Sequence, residues 1–443
     1  MDRRETSSLP PPLSAEDVTS FAYKTVKDRL PVILTKVIDL LFRERNNIAN
    51  IYGEVGKEEG KEVTGKCSML RNEMQTNKPL KLLEGKRSDV IIWNDYLRKQ
   101  TEEMKKEPRW FEAAWLYVEC YMYRRIQDAF DLTSKLQDFD PFKNSKEMAF
   151  QSSLDAALYF GKHILTTIEQ LQQKLHKDSP EVFEHFQLFL QVSLWGNKCD
   201  LSISAGQNVA QKESPVEQIH KLQDQILVND TRKLLEILHQ ANHDNPNKVT
   251  LSLVLDNAGF ELFTDLCLVE ILQQLELVTF VNFYVKDMPW YVSDATEQDF
   301  LWILEVLGKS EHQSFQELSK IWIEKLQQKL WTIEKEKYWT LPFDYSVMEE
   351  MDPALYAKLS ASQVIIFKGD LNYRKLTGDR QWDFETPFQT SLQGFLPAPI
   401  CALRTLKADT VTGLSPGQGE SIAKSFPDWM ISGDFGLIQI ATP

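Results

Sequence analysis

The residues from Val254 to Glu261, Val-Leu-Asp-Asn-Ala-Gly-Phe-Glu, set a carboxylate and an amide side by side where an apolar run stops. The stretch Val249–Leu255 is apolar and β-branched enough for a buried strand, and a helical pattern begins after Gly259. An acid and an amide where a strand gives way to a helix lie at the carboxyl edge of a sheet. Open α/β folds bind their ligands at that edge. Asp256 and Asn257 both offer hard oxygen atoms, the donors that suit Mg2+, Mn2+ and similar divalent ions. The competing account is a plain turn, because Asp and Asn favour turns for backbone reasons.

Three further polar clusters follow apolar runs. The run Val278–Val285 leads to Asp294, and Glu297 three residues later gives the spacing of a helix capping box. Taken alone Asp294 reads as a cap; beside Asp256 and Asn257 it could complete a three-oxygen metal site. The run Gln363–Phe367 ends in Lys368-Gly-Asp-Leu-Asn-Tyr-Arg-Lys375. There Gly369 would let backbone approach a ligand, and Arg374 or Lys375 could hold phosphate oxygens. In Ile400–Lys407, strand alternation puts Arg404 and Leu406 on one face and Thr405 and Lys407 on the other. Earlier, Trp195-Gly-Asn-Lys-Cys-Asp200 interrupts a helical pattern and reads as a turn, from which Asn197 and Asp200 could support the same site.

Other chemistries fail on inspection. Gly413-Leu-Ser415-Pro416-Gly417 has the form of a nucleophile elbow, but Pro416 lacks the N–H that the oxyanion hole requires. His239 and His243 have zinc-helix spacing without the catalytic glutamate. There is no phosphate-binding Walker loop and no G-x-G-x-x-G turn after a strand.

These clusters need a sheet to bring them together, and the chain offers one in its second half. From Lys248 onward the candidate strands Val249–Leu255, Val278–Val285, Gln363–Phe367 and Ile400–Leu406 alternate with candidate helices Phe260–Leu275, Ala295–Leu307, Phe315–Trp331 and Pro353–Ala361. Such alternation predicts a largely parallel, Rossmann-like sheet in an α/β/α sandwich. Before about residue 190 only helical stripes are evident, such as Leu30, Ile33, Leu34, Val37, Ile38 and Leu41. The expected organisation is a mobile tail over 1–14, a helical domain over 15–200, linker and helices over 201–247, and the α/β catalytic domain over 248–443.

At 443 residues, 42% hydrophobic and 26% charged, the composition is that of an ordinary globular protein. A net charge of −14 argues against nucleic-acid and anionic-membrane surfaces, which draw on clustered Lys and Arg. The polar start, Met1-Asp-Arg-Arg-Glu, is no secretory signal, and no apolar run is long enough to cross a bilayer. Five scattered cysteines without paired spacing fit a reducing compartment, cytoplasm or nucleus.

Together, Leu255–Leu262, Trp290–Asp294, Phe367–Leu376 and Arg404-Thr-Leu-Lys407 resemble the metal-dependent damage-control phosphatases, in the subfamily of yeast and animals. Trp195–Asp200 and Glu119–Arg125 share in the likeness, which spans nearly the whole chain after the N-terminal tail. That subfamily is also described as acidic-residue protein carboxyl methyltransferases. The resemblance implies a divalent metal (Mn2+, Co2+ or Ni2+) on Asp256, Asn257 and Asp294. It implies catalysis by those same residues on a small sugar phosphomonoester, such as fructose 1-phosphate or fructose 6-phosphate. The substrate would meet Asp256, Asn257, Asp370, Leu371, Asn372, Tyr373, Arg374 and Lys407, with Glu119, Asn197, Asp200 and Arg404 in support. The alternative is S-adenosylmethionine-dependent methylation of glutamate on an acceptor protein, as a second activity tied to the DNA damage response. A usual S-adenosylmethionine fold carries a Gly-rich loop after its first strand, whereas Asp256–Gly259 has one glycine and a polar pair, which favours phosphatase chemistry.

Overall fold

The computed structural model describes residues 9–174, 180–204 and 214–443, and their side chains apart from 172–174, 180 and 197–204. Among these residues one sheet is built from β1 (Ile226–Asn229), β2 (Thr250–Val254), β3 (Phe280–Val285), β4 (Trp331–Lys335), β5 (Val364–Lys368), β6 (Ile400–Thr405) and β7 (Gly436–Ala441). The strand order is β1-β7-β6-β5-β2-β3-β4. Every neighbouring pair is parallel except β6 with β7.

The inner strands are buried on both faces, as near-continuous apolar sequences require. Their side chains divide strictly by alternation. In β5, Ile365 and Phe367 join one core cluster while Val364 and Ile366 join the other. In β6, Ile400 and Ala402 face the first while Cys401 and Leu403 face the second. The first cluster is completed by apolar residues of the helices between Phe21 and Asp131, and by the 338–414 region. The second is completed by the helices Leu154–Lys174, Pro180–Ser204, Phe260–Gln274, Glu297–Gly308 and Gln313–Gln327. Phe260–Gln274 is buried nearly all round, which explains why its sequence shows no polar face.

This is the expected α/β/α sandwich with a largely parallel sheet. The boundaries differ from the expected ones. The helices of 15–200 do not share a core of their own: those up to Asp131 cover one face of the sheet and those from Leu154 cover the other. The sheet also begins before residue 248, because β1 lies within the expected linker. Nor is the N-terminal segment loose from Pro10 on. Leu13 N–H donates to Asp379 O at 2.8 Å, Trp115 N–H to Leu13 O at 2.8 Å, and Arg380 to Pro10 O at 2.8 Å.

Four strands lie within two residues of their expected limits. The strands β1, β4 and β7 are additional to the four expected. The amphipathic pattern of Gln313–Gln327 runs straight toward β4, and only the left-handed Lys329 (φ 59°) breaks it. Trp195–Asp200 is no turn: the helix Pro180–Ser204 continues through it. No helix among the described residues is long and apolar enough to cross a membrane.

Candidate active site at the carboxyl edge

From β2 the chain moves outward through β3 and β4, then returns to place β5 on the other side of β2. The crevice outside the carboxyl ends of β2 and β5 is therefore a topological switch point. Val254 pairs with Phe367 in register, so Asp256 and Gly369, two residues further along each strand, come side by side. The approach is close: a Cβ on Gly369 would fall 1.9 Å from Asp256 Oδ2. Gly369 also has φ +81°, in the left-handed region. Glycine alone meets both conditions.

Asp294 reaches the same crevice by backbone pairing. Ala295 N–H donates to Asp256 O at 2.7 Å and Ala258 N–H to Ser293 O at 2.7 Å, and Asn257 bridges Asp294. The turn before it is strained. Tyr291 (φ 45°) and Val292 (φ 69°) are both left-handed, at a cost of about 1–3 kcal/mol each. Packing holds the turn: Tyr291 stacks on Tyr123 with ring centres 4.7 Å apart, and Trp290 lies 5.8 Å from the same ring. The helix Trp115–Asp131, which carries Tyr123, thus buttresses the segment that presents Asp294. Asp294 does not cap the next helix. Thr296 does, in a reciprocal capping box with Asp299.

The electrostatics are those of crowded, buried acids. Burial pushes the Asp256 carboxyl well above the usual carboxylate range; Glu261 and Asp294 add to the rise, and Lys286 and Lys407 oppose it. Asp294 is pushed up to about 6, again by burial, against the pull of Lys286. Lys286 Nζ stands 3.3 Å from Asp294 Oδ2 and donates to Leu255 O at 3.1 Å. Asp294 Oδ2 is nevertheless buried without accepting a hydrogen bond. Asn257 donates from Nδ2 to Asp256 Oδ2 at 2.8 Å and to Glu261 Oε2 at 2.7 Å, and its Oδ1 accepts from Ser293 Oγ at 2.5 Å.

The residues expected to contact substrate fall into two groups. Asp370 and Lys407 border the crevice. Asp370 Oδ1 accepts from Arg404 Nε at 2.9 Å and from the Lys407 N–H at 3.1 Å. The Lys407 ammonium makes no hydrogen bond or ion pair among the described residues, yet it is near enough to draw on the Asp256 carboxyl. Asn372, Tyr373 and Arg374 lie in the helix Gly369–Thr377 and are buried. Asn372 braces the strand ends, donating to Lys368 O at 2.7 Å and Leu255 O at 3.2 Å and accepting from Tyr345 at 2.6 Å. Tyr373 meets Thr412 at 3.1 Å, and Leu371 packs in the first core cluster.

Arg374 differs most from expectation. Its guanidinium donates to Glu119 at 2.7 Å and to Asp379 at 2.9 and 3.0 Å, and lies 3.8 Å from the Trp115 ring centre. It is 3% exposed, so its charge is spent on tying the helical layer to the sheet, not turned to the crevice. Glu119 is accordingly its partner. Arg404 is committed in a similar way: besides Asp370 it donates to Thr410 O at 2.5 Å and Ala408 O at 3.1 Å. The side chains of Asn197 and Asp200 lie outside the described residues.

Glu261, Ser293, Lys286 and Lys368 also shape the site, and the sequence pattern alone assigns them no role. Glu261 lies in the first turn of the helix Phe260–Gln274 and Asn257 lies before its N-cap Gly259 (φ 70°), so helical spacing does not announce their contact.

These residues suit a hard divalent cation. Among the described residues no three His, Cys, Asp or Glu side chains converge tightly enough to hold an ion. The oxygen donors on offer are Asp256, Asp294 and the amide oxygen of Asn257, whose Nδ2 bonds Asp256 and whose backbone bridges Asp294. Asp294 Oδ2 accepts no hydrogen bond and has Lys286 at 3.3 Å, and the mutual repulsion of the buried acids favours further positive charge there.

The sequence pattern of the family described as "Damage-control phosphatase ARMT1-like domain" matches residues 25–422. The chain is 44% identical over 443 residues to Damage-control phosphatase ARMT1 of Homo sapiens, covering 98% of this chain and 99% of that protein. The protein of the same name from Mus musculus is 44% identical over 438 residues, covering 97% and 98%. That of Danio rerio is 42% identical over 441 residues, covering 98% of each.

Proposed function

The chain belongs to the ARMT1-like damage-control phosphatase family, and from that premise we propose that it hydrolyses small sugar phosphomonoesters, fructose 1-phosphate and fructose 6-phosphate among them. The observation that carries this reading is the pairing, in one crevice, of buried Asp256 and Asp294 with the uncommitted cation of Lys407. A phosphomonoester brings nearly two negative charges, and an acidic chain must gather local positive charge to hold it. A divalent ion held by Asp256, Asn257 and Asp294 would supply Lewis-acid stabilisation of the transferring phosphoryl group. Mn2+, Co2+ and Ni2+ are the ions proposed.

Within that site the chain's own groups divide the work. Lys407 neutralises charge on the phosphoryl oxygens as a point cation. Asp370, clamped by Arg404 and the Lys407 N–H, would accept from sugar hydroxyls. Gly369 lets the β5 end approach Asp256 closely enough to shut water from one side of it. The four described cysteines are free and buried, which supports a reducing compartment, cytoplasm or nucleus.

The test is phosphate release from fructose 1-phosphate by protein stripped with chelator and then resupplied with Mn2+, Co2+ or Ni2+. Activity should vanish and return. The same preparation is offered labelled S-adenosylmethionine and a glutamate-rich acceptor protein. Full hydrolysis by the stripped protein, or methyl transfer without hydrolysis, would overturn the proposal.

A further inference from the structure

Asn257 can serve a cation only through its amide oxygen, and what decides the orientation of that amide lies outside the expected ligand set. Two carboxylate oxygens flank one end of the group, Asp256 Oδ2 at 2.8 Å and Glu261 Oε2 at 2.7 Å. Asn257 Nδ2 is the donor in both contacts, so the end between the carboxylates is the NH2. The oxygen is thereby turned the opposite way, where Ser293 Oγ donates to one of its lone pairs and leaves the other open.

Glu261 is itself fixed from behind. Its Oε1 lies 3.3 Å from Lys368 Nζ. Lys368 is locked in turn by Asp265 at 2.6 Å, Ser193 O at 2.7 Å and Ser193 Oγ at 2.9 Å. Glu261, Lys368, Asp265 and Ser193 are all buried. Lys368 is the last residue of β5, so the chain of contacts runs from the strand beside Gly369, through the helix Phe260–Gln274, to the amide. Without Glu261, only Asp256 would anchor the NH2, and the same carboxylate would have to face the ion.

We infer that Glu261 is a positioning residue that fixes the Asn257 amide with its NH2 toward Asp256 and its oxygen toward the Ser293–Asp294 side of the expected ligand set, an inference resting on the metal-dependent reading above. Outer partners of this kind typically govern metal affinity by about 10–100-fold.

The experiment is calorimetric titration of chelator-stripped full-length protein with MnCl2, for the wild type, Glu261→Gln, Asn257→Ala and the double variant. Glutamine cannot accept from Asn257 and Lys368 together, so Glu261→Gln should bind Mn2+ about 10–100-fold more weakly. In the Asn257→Ala background the same change should cost little more, because its target is gone. Glu261→Asp keeps the charge beside Lys368 but falls one methylene short of Asn257. It should show the same loss, and it serves if the glutamine variant does not fold. Wild-type affinity in Glu261→Gln or Glu261→Asp, or a full additive loss in the double variant, would show that Glu261 does not act through Asn257. No Mn2+ uptake by the wild type would remove the metal-dependent reading and this inference together, whereas uptake by the wild type with unchanged variants removes only the inference.

Discussion

Replacing Gly369 by alanine separates a local backbone cost from damage to the site. The left-handed φ of +81° costs an alanine about 1–2 kcal/mol of stability. The new Cβ would fall 1.9 Å from Asp256 Oδ2, 2.1 Å from Cγ and 2.7 Å from Cβ. To regain ordinary contact at 3.4 Å the carboxylate oxygen must retreat by about 1.5 Å. It cannot do so freely, because Asn257 Nδ2 holds that oxygen and Ala295 N–H holds the residue's carbonyl. A misplacement of about 1 Å in a catalytic group costs on the order of 100-fold in rate. Gly369→Ala should therefore lose at least about 100-fold in kcat/KM, or about 2.7 kcal/mol of transition-state stabilisation. Gly417→Ala is the control. It shares the left-handed φ (+71°), but a Cβ there would meet nothing within 4 Å. It should lose similar stability and no activity. Phosphate release from fructose 1-phosphate with Mn2+, together with urea unfolding, reads both terms. A Gly369→Ala enzyme within about threefold of wild-type kcat/KM would mean that Asp256 does not work where the crevice holds it.

Lys407→Ala should cost about 2–4 kcal/mol in kcat/KM, as for a charge-assisted donor in a dry site. Arg404→Ala should instead lower the urea midpoint, and the opposite pattern would reverse the assignment of the two cations. Arg374→Ala leaves Glu119 and Asp379 buried without their shared partner and should destabilise by about 3–5 kcal/mol. Its KM for fructose 1-phosphate should not change, and a raised KM at wild-type stability would restore the phosphate contact first expected of it. Burial pushes Asp265 from 3.8 up to about 6, so ionising it is harder in the folded than in the unfolded chain. Its contribution to stability is complete below about pH 4 and is lost by about pH 6, a change on the order of 3 kcal/mol. Asp265→Asn should remove that slope. A wild-type-minus-variant difference in unfolding free energy that stays constant over this range would count against it.

The strand ends were legible because composition changes abruptly there. Val-Ile-Ile-Phe gives way to Lys-Gly-Asp, and Val-Leu to Asp-Asn, and each boundary marks a strand that ends at the crevice. The sequence could not tell which polar residues face the crevice and which are consumed in holding it. Arg374 and Lys407 are both cations near strand ends. One is neutralised by Glu119, 255 residues away in sequence, and the ammonium of the other pairs with no carboxylate among the described residues. That distinction depends on partners that periodicity does not reveal. Asp294 shows the same limit. Its spacing from Glu297 imitates a capping box, while the true box lies two residues on, at Thr296 and Asp299. The helix Gly369–Thr377 was hidden because its buried polar residues, Asn372, Arg374 and Lys375, leave no apolar stripe.

The placement of β7 has a consequence for how the molecule is made. It lies between β1 and β6, parallel to one and antiparallel to the other, and among the described residues β1 has no other neighbour in the sheet. β1 therefore waits for a partner about 210 residues downstream, roughly 10–40 s of translation at ordinary elongation rates. During that interval Ile226–Asn229 is an unpaired edge, and the helix Thr231–Asp244 that follows it has no finished sheet to close upon. A ribosome-bound chain stalled before Gly436 should carry a formed β2–β5 crevice with a protease-sensitive flank, an intermediate on which a chaperone could act.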